Sequence, residues 1–246
     1  MIKRVFDASV AFFGLILSAP VLAPVMFLVW LQDKHSPFYV APRVGKNEKI
    51  YRMIKLRSMV VNADSSGVDS TSSNDLRITP IGQFIRDYKL DELTQLWNVL
   101  LGDMSLVGPR PNVQRETELY TPEEKKLLLV RPGITDLASI IFSDEGEILA
   151  DELDPDIAYN QLIRPWKSRL GLICIEHQSF VLDLRIILYT AFAIFDKSRA
   201  LRGVNAILID IGADANILAV AKRDQKLVPS VPPGAKEIVF SRDRYP

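Results

Sequence analysis

Residues Ala8 to Leu31 form an unbroken uncharged run, ASVAFFGLILSAPVLAPVMFLVWL, and no other feature of the chain narrows its possible folds as much. As a straight helix these residues reach roughly 36 Å, enough to cross a hydrocarbon core of about 30 Å. Pro20 and Pro24 interrupt the middle of the run. Each removes a backbone hydrogen bond and favours a kink. Lys3, Arg4 and Asp7 precede the run and Asp33, Lys34 and Arg43 follow it, so basic residues flank both ends. The positive-inside rule therefore names no outer end. The pattern predicts a bent, re-entrant helix hairpin with both ends in the cytosol, with Ser18 placed to satisfy a carbonyl freed at the bend. An ordinary single span and a cleaved signal peptide are the competing readings. The run is long for a signal peptide, and the rest of the chain lacks secreted character.

The whole chain, 246 residues, 48% hydrophobic, with 30 basic residues against 30 acidic ones, allows one domain with a sizeable core or one domain plus an appendage. That composition argues against disorder, collagen and repeat arrays. Zero net charge gives no global attraction to nucleic acid, so any anion site must come from local clusters of Lys and Arg. One cysteine, Cys174, excludes an intrachain disulfide, and two histidines, His35 and His177, argue against a Cys/His zinc site.

Along the chain, Phe38-Tyr39-Val40 and Ile50-Tyr51 read as strands around the turn Gly45-Lys46-Asn47-Glu48. Val61 to Asp75, VNADSSGVDSTSSND, reads as an exposed mobile loop. Thr79-Pro80 reads as an N-cap with proline at the first helical position. Behind it, Ile81, Phe84, Ile85 and Tyr88, then Leu90, Leu93, Leu96, Trp97 and Leu100, recur at helical spacing up to Gly102 and predict core. Ser179 to Phe195 is a second apolar segment, predicted as a buried or interface-lying helix.

The polar faces of these helices carry the chemistry. Asp91, Gln95 and Asn98 fall at i, i+4 and i+7 and share one face, with Glu92 rotated by about 100°. Neighbouring carboxylates on a helix do not face each other. They suit divided labour, one attacking and one holding a metal or proton, better than a proton-sharing dyad. Solvated acids complementing the helix dipole are the bland alternative. Lys55, Arg57, Arg86, Arg110 and Arg131 lie in or beside motif-like segments. Several guanidinium groups around a carboxylate pair are what a diphosphate substrate requires.

These residues carry a resemblance. KRVFD at Lys3 to Asp7 with the proline-broken run behind it, KLRSM at Lys55 to Met59, LDELTQLWNVLLGDMSLVGPRP at Leu90 to Pro111, and RPGIT at Arg131 to Thr135 together resemble the bacterial sugar transferases. These are the monotopic phosphoglycosyl transferases acting on polyprenol phosphate, here in a minimal form. The resemblance implies transfer of sugar 1-phosphate from a UDP-sugar to undecaprenyl phosphate, with release of UMP through a covalent enzyme. It implies Asp91 as nucleophile and Glu92 as a ligand of Mg²⁺. Lys55, Arg57, Arg86, Arg110 and Arg131 would bind phosphate, with Gln95, Asn98 and Pro111 supporting the site. It also implies the cytosolic face of the bacterial inner membrane, lipid contact, and a first membrane step in surface-glycan assembly. Downstream glycosyltransferases and a second copy of the chain are further implied partners, and nucleic acid is not one. A carboxylate is ionised at neutral pH and needs no general base, only charge relief at phosphorus.

The chain departs from the family pattern in places. Ala19 precedes Pro20 where Ser-Pro is common, and Asp136-Leu137-Ala138-Ser139 replaces Gly-Trp-Ala-Gln after RPGIT. Gly171 and Cys174 stand where Leu-Asp and Tyr are expected. These changes bear on sugar or nucleotide contacts. Those at Asp136, Gly171 and Cys174 also motivate one alternative, an inactive membrane-anchored scaffold; a Leloir-type glycosyltransferase releasing UDP is a second alternative, as a different enzyme class. The predicted fold is α+β and mainly helical. Residues 1–35 form the re-entrant membrane helix and residues 36–205 the catalytic body with interface helices and a small β element. Residues 206–246 form an extension of unknown role, in which VPSVPPG reads as extended or turn structure.

Overall fold

A computed structural model describes residues 2–66 and 70–241. The apolar run lies within one 32-residue helix, α1 (Ile2–Asp33), assigned without interruption through Pro20 and Pro24. It is long and apolar enough to cross a membrane. Its contacts are informative, because both ends are tied to the same folded body. Near its start, Lys3 pairs with Asp183 at 2.5 Å, Arg4 donates to the carbonyls of Val99 and Leu100, and the Asp7 carboxylate accepts from Ser105 Oγ at 2.8 Å. At its far end Asp33 accepts both guanidinium nitrogens of Arg57, at 2.6 and 2.8 Å. Between them Ala11 enters the main core, while Leu22, Val25 and Val29 pack with Leu56, Ile85 and Leu90. Both ends thus stand against one body. The opposite side of α1 leaves Phe12, Phe13, Ile16, Leu17 and Phe27 exposed.

Ser18 does not play the expected part at the prolines. Missing amides at Pro20 and Pro24 free the carbonyls four residues back, those of Ile16 and Pro20. Ser18 Oγ instead donates to Leu15 O at 3.2 Å.

After α1, β1 (Phe38–Val44) and β2 (Ile50–Leu56) form the expected antiparallel hairpin, with Tyr39 opposite Lys55 and Arg43 opposite Tyr51. Its turn places Asn47 and Glu48 at positive φ, 56° and 60°. The polar stretch behind the hairpin is partly docked: Ser70 N donates to Asp156 Oδ1 and Ser73 N to Gly146 O. Residues 67–69 of that predicted loop lie outside the described residues.

Helix α2 (Pro80–Asp87) starts as predicted, with Thr79 Oγ1 accepting from Gly82 N at 2.9 Å. The predicted continuous helix behind it is divided. Lys89 turns left-handed at φ 55°, and two short helices follow, α3 (Leu90–Leu93) and α4 (Leu96–Leu101), joined through Thr94 and Gln95. The apolar stripe divides as well. Ile85, Leu90 and Leu96 are buried, whereas Phe84, Tyr88 and Trp97 are exposed.

Strand β3 (Ser105–Val107) pairs in parallel with β4 (Gly133–Thr135), with α5 (Gln114–Thr117) and a 3-10 turn (Glu124–Leu129) between them. Short helices α6 (Leu137–Ile141), α7 (Glu145–Ile148) and α8 (Pro155–Ala158) lead through a π turn into α9 (Arg164–Glu176). The Ser179 cap then opens α10 (Phe180–Phe195), followed by α11 (Lys197–Asp210) and α12 (Ala215–Lys222). Helix α10 buries Leu182 and Ile186 and exposes Val181, Leu188 and Phe195. Phe180 meets Phe6 of α1 edge-on at 5.1 Å. The two most apolar helices are therefore neighbours.

Residue 205 does not end the body. Val204, Ile207, Leu208, Ile217 and Ala221 lie in the main core. Only the last described part, after α12, is a strap without regular structure. Its carbonyls are gripped by the body: Val231 O by Arg169, Pro233 O by Thr121 Oγ1 and Val239 O by Gln161.

Candidate active site

The site begins with an amide that imitates a strand. Asn98 on α4 is buried, and its side chain accepts from Ile54 N at 2.9 Å and donates to Arg52 O at 2.8 Å along the edge of β2. Thr94 Oγ1 bridges Ile54 O and Asp91 O, at 3.2 and 3.1 Å. These two side chains seat the hairpin on α3 and α4. The consequence falls on the next residue, since Lys55 Nζ stands 3.4 Å from Asp91 Oδ2. Burial pulls the Lys55 ammonium below its ordinary pKa, and the Asp91 carboxylate opposes that pull.

Glu92 faces a second cation, with Arg110 NH1 at 3.0 Å from its Oε1. Burial by itself raises the Glu92 carboxyl, but Arg110, then Lys55 and Lys89, bring it below the ordinary range. Glu92 in turn raises the Arg110 guanidinium. Arg86 donates from Nε to Ser58 Oγ at 3.0 Å and lies in the field of Asp91 and Asp75. Two acids are thus bracketed by Lys55, Arg86 and Arg110, with Lys89 nearby. An ordered set of paired nitrogen donors beside two carboxylates can neutralise a diphosphate while leaving an oxygen nucleophile at hand.

The loop that carries Arg110 owes its shape to two glycines. Gly133 N donates to Pro109 O at 2.9 Å, Gly108 N to Thr135 O at 3.0 Å and Ser105 N to Pro132 O at 2.9 Å. A Cβ on Gly133 would stand 2.1 Å from Gly108 N, and one on Gly108 would stand 2.5 Å from Arg131 O. The GPRP and RPGIT segments therefore cross with backbone against backbone. Pro111 follows Arg110 in the wall of a small cavity of about 40 Å³, which Asp136, Ser139, Tyr159 and Lys167 also line.

Two of the five predicted phosphate binders are placed otherwise. Arg57 is committed to Asp33 and to Ser36 O, so it fastens the end of α1. Arg131 donates to Gly102 O at 2.7 Å, closing the end of α4, where Gly102 sits at φ 97°. Their motifs serve the scaffold. Gln95 lies buried behind the carboxylates, and its Nε2 has no hydrogen-bond partner among the described residues. The departures from the family pattern also resolve. Asp136 caps α6 by accepting from Ser139 N at 2.6 Å, Gly171 makes room for Leu127, and Cys174 packs against the core, where burial raises its thiol pKa.

The bacterial sugar transferase family matches residues 1–197 of the chain. The chain belongs to this family. A Bacillus subtilis protein whose name proposes it as an undecaprenyl-phosphate N-acetylgalactosaminyl 1-phosphate transferase is 43% identical over 122 residues, 50% of this chain and 68% of that one. The UDP-glucose:undecaprenyl-phosphate glucose-1-phosphate transferase of Klebsiella pneumoniae is 36% identical over 203 residues, 80% of this chain and 41% of its own length. The UDP-galactose-lipid carrier transferase of Erwinia amylovora is 39% identical over 151 residues, 55% of this chain and 31% of its own. The chain thus spans less than half of the last two relatives.

Three residues that the motifs do not single out also stand around the two acids: Thr94, Lys89 and Glu145. Thr94 sits inside the DELTQ block and was legible as its i+3 neighbour. Lys89 and Glu145 carry no local signal, because only the fold turns their charges toward Arg110 and Glu92. Among the described residues no group of three or more His, Cys, Asp and Glu side chains converges as a metal site. Adjacent Asp91 and Glu92 nevertheless suit Mg²⁺, which takes one or two carboxylates and completes its shell with waters and substrate phosphates.

Proposed function

We propose that this protein transfers sugar 1-phosphate from a UDP-sugar to undecaprenyl phosphate and releases UMP, through a phosphosugar carried on Asp91. The observation that carries this reading is the Asp91–Glu92 pair held between Lys55 and Arg110. The names of the Klebsiella and Erwinia relatives support the lipid acceptor and the nucleotide-sugar donor.

In the first step an Asp91 carboxylate oxygen attacks the β-phosphorus of the donor. The bond from that phosphorus to the bridging oxygen breaks, and UMP leaves with the oxygen and its electron pair. In the second step an oxygen of the lipid phosphate attacks the same phosphorus. The Asp91–phosphorus bond breaks, returning the carboxylate and giving the lipid diphosphate sugar. Lys55, Arg86 and Arg110 bind the phosphate oxygens and offset charge that builds in each transition state. Lys55 also holds Asp91 in place before attack. Glu92 would hold Mg²⁺ together with the substrate phosphates. Bound there, the ion supplies charge neutralisation of the diphosphate and of departing UMP.

Such a site must meet a soluble donor and a membrane-bound acceptor. We place the protein on the cytosolic face of the bacterial inner membrane, with α1 as a re-entrant element that enters and returns on one side. The support is that both ends of α1 are fastened to the body that carries Asp91. Exposed apolar residues on α1 and on the adjoining α10 extend this contact. The pathway role is the first membrane step of surface-glycan assembly.

The test is product identity and the adduct. With undecaprenyl phosphate in detergent and a panel of UDP-sugars, the wild type releases UMP, and intact mass spectrometry detects a phosphosugar on the protein. Asp91→Asn abolishes both. Release of UDP identifies a sugar-only transfer, and full UMP release by the Asn variant rejects the assigned nucleophile. Absence of both product and adduct across the panel favours an inactive scaffold.

A further inference from the structure

Next to the phosphate site stands a carboxylate that the two transfer steps do not use. Glu145 opens α7 and pairs with Lys167 of α9. Lys167 lines the cavity beside Arg110, together with Asp136, Ser139 and Tyr159. Glu145 is also within the electrostatic reach of Arg110 and Lys89, the cations around Glu92. Its side chain is 31% exposed, so it borders open space and is not sealed in the core.

The turn holding Glu145 is fixed from three directions. Asp144 Oδ2 accepts from Lys197 of α11 at 3.0 Å and from Arg223, just after α12, at 3.1 Å. Gly146 O accepts from Ser73 N at 2.9 Å. Arg223 lies past residue 197, where the family match ends. The C-terminal helices therefore brace one wall of the site.

A carboxylate in this position has a restricted use. It accepts hydrogen bonds and donates none, and it repels phosphate oxygens. Among the parts of a nucleotide-sugar donor, an uncharged group with O–H or N–H to offer is the one that suits it. Lys167 beside it supplies donors for an oxygen of the same ligand. In a nucleoside diphosphate sugar the group attached to the β-phosphate fits that description.

We propose that Glu145, paired with Lys167, reads the sugar of the donor, accepting from hydroxyl or amide N–H groups of a neutral hexose or N-acylated hexosamine and disfavouring uronic acids. This rests on the transferase reading above. Asp144, Lys197 and Arg223 act as positioning residues for it.

The experiment compares binding of UDP, which has no sugar, with binding of UDP-glucose, UDP-galactose, their N-acetylated counterparts and UDP-glucuronic acid. Titration calorimetry is run on the full chain in detergent, for wild type and Glu145→Gln. The variant keeps side-chain volume and removes the charge. It is expected to weaken the preferred neutral donor about tenfold or more, the scale of a hydrogen bond to a charged group. Affinity for UDP stays within about twofold, and the preference for neutral donors over UDP-glucuronic acid shrinks. Arg223→Ala, which keeps the Glu145 side chain and removes one brace of its turn, shifts UDP-sugar affinity in the same direction by less. Equal shifts for UDP and UDP-sugar place Glu145 at the diphosphate or base and overturn the proposal, as does no shift for either. A wild type that binds no UDP-sugar removes the transferase reading itself, which separates the two failures.

Discussion

Asn98→Ala isolates the part of the site that is built by backbone mimicry. The wild-type amide makes hydrogen bonds of 2.9 Å to Ile54 N and 2.8 Å to Arg52 O from a fully buried position. Each is worth about 0.5–1.5 kcal/mol net, and a strand group left without a partner costs about 1–3 kcal/mol. The sum after partial hydration of the edge is about 2–4 kcal/mol. For a chain of this size that lowers the melting midpoint by roughly 5–15 °C. Asn98→Asp is expected to be at least as damaging. Its carboxylate still accepts from Ile54 N, but it sets a second acceptor against Arg52 O and against Asp103 Oδ2, which is 3.4 Å from the wild-type Nδ2. Thermal unfolding in detergent and UMP release below the midpoint measure the two consequences. Lys55 loses its seat beside Asp91, so donor KM rises along with the loss of stability. An Ala variant melting within about 2 °C of wild type, or an Asp variant more stable than Ala, refutes the strand-mimic account.

Lys55 gives a pH signature. Burial holds its pKa below the ordinary lysine value of 10.5, with Asp91 opposing. Its charged form therefore costs stability below the folded pKa, and that cost is relieved as pH rises toward the unfolded value. Phosphate binding needs the ammonium, so kcat/KM for the donor falls on an alkaline limb below 10.5. Lys55→Arg moves the limb to higher pH, and a limb that stays in place rejects the assignment. Gly133→Ala forces a Cβ to within 2.1 Å of Gly108 N, so the β3–β4 pair must separate and the Arg110 loop shifts. UMP release is expected to fall at least about 100-fold, and near-wild-type turnover contradicts the crossing of the two motifs. Removing residues 206–246 strips Ile207, Leu208 and Ile217 from the core. At about 1.5–3 kcal/mol each, their loss rivals the whole stability of a domain. The truncated chain is expected to aggregate on extraction, and a monodisperse, active truncation sinks the claim that these helices belong to the body.

Much was legible because it is local. Thr79-Pro80 predicted the start of α2 because capping involves only neighbouring residues. Short β-like pieces on either side of the turn Gly45 to Glu48 predicted the two strands, which pair as a hairpin. The split between α3 and α4 was hidden, because Thr94 and Gln95 keep right-handed backbone angles and the apolar spacing runs through the break. Trp97 belonged to the same stripe as Leu90 and Leu96 yet is exposed, and periodicity does not distinguish a face that meets core from one left exposed.

The sequence by itself determined a long apolar helix bordered by charges, a cysteine-poor single body, and the Asp91–Glu92 pair with a surplus of basic motifs around it. These follow from local composition and spacing. Which cations serve the acids was decided by tertiary structure alone. Arg57 and Arg131 looked equivalent to Lys55, Arg86 and Arg110, yet the fold spends them on Asp33 and on Gly102 O. Electrostatic partnership depends on distances of a few ångströms between segments remote in sequence. Only the crossing of Gly108 with Gly133, and the seating of β2 by Asn98, sets those distances.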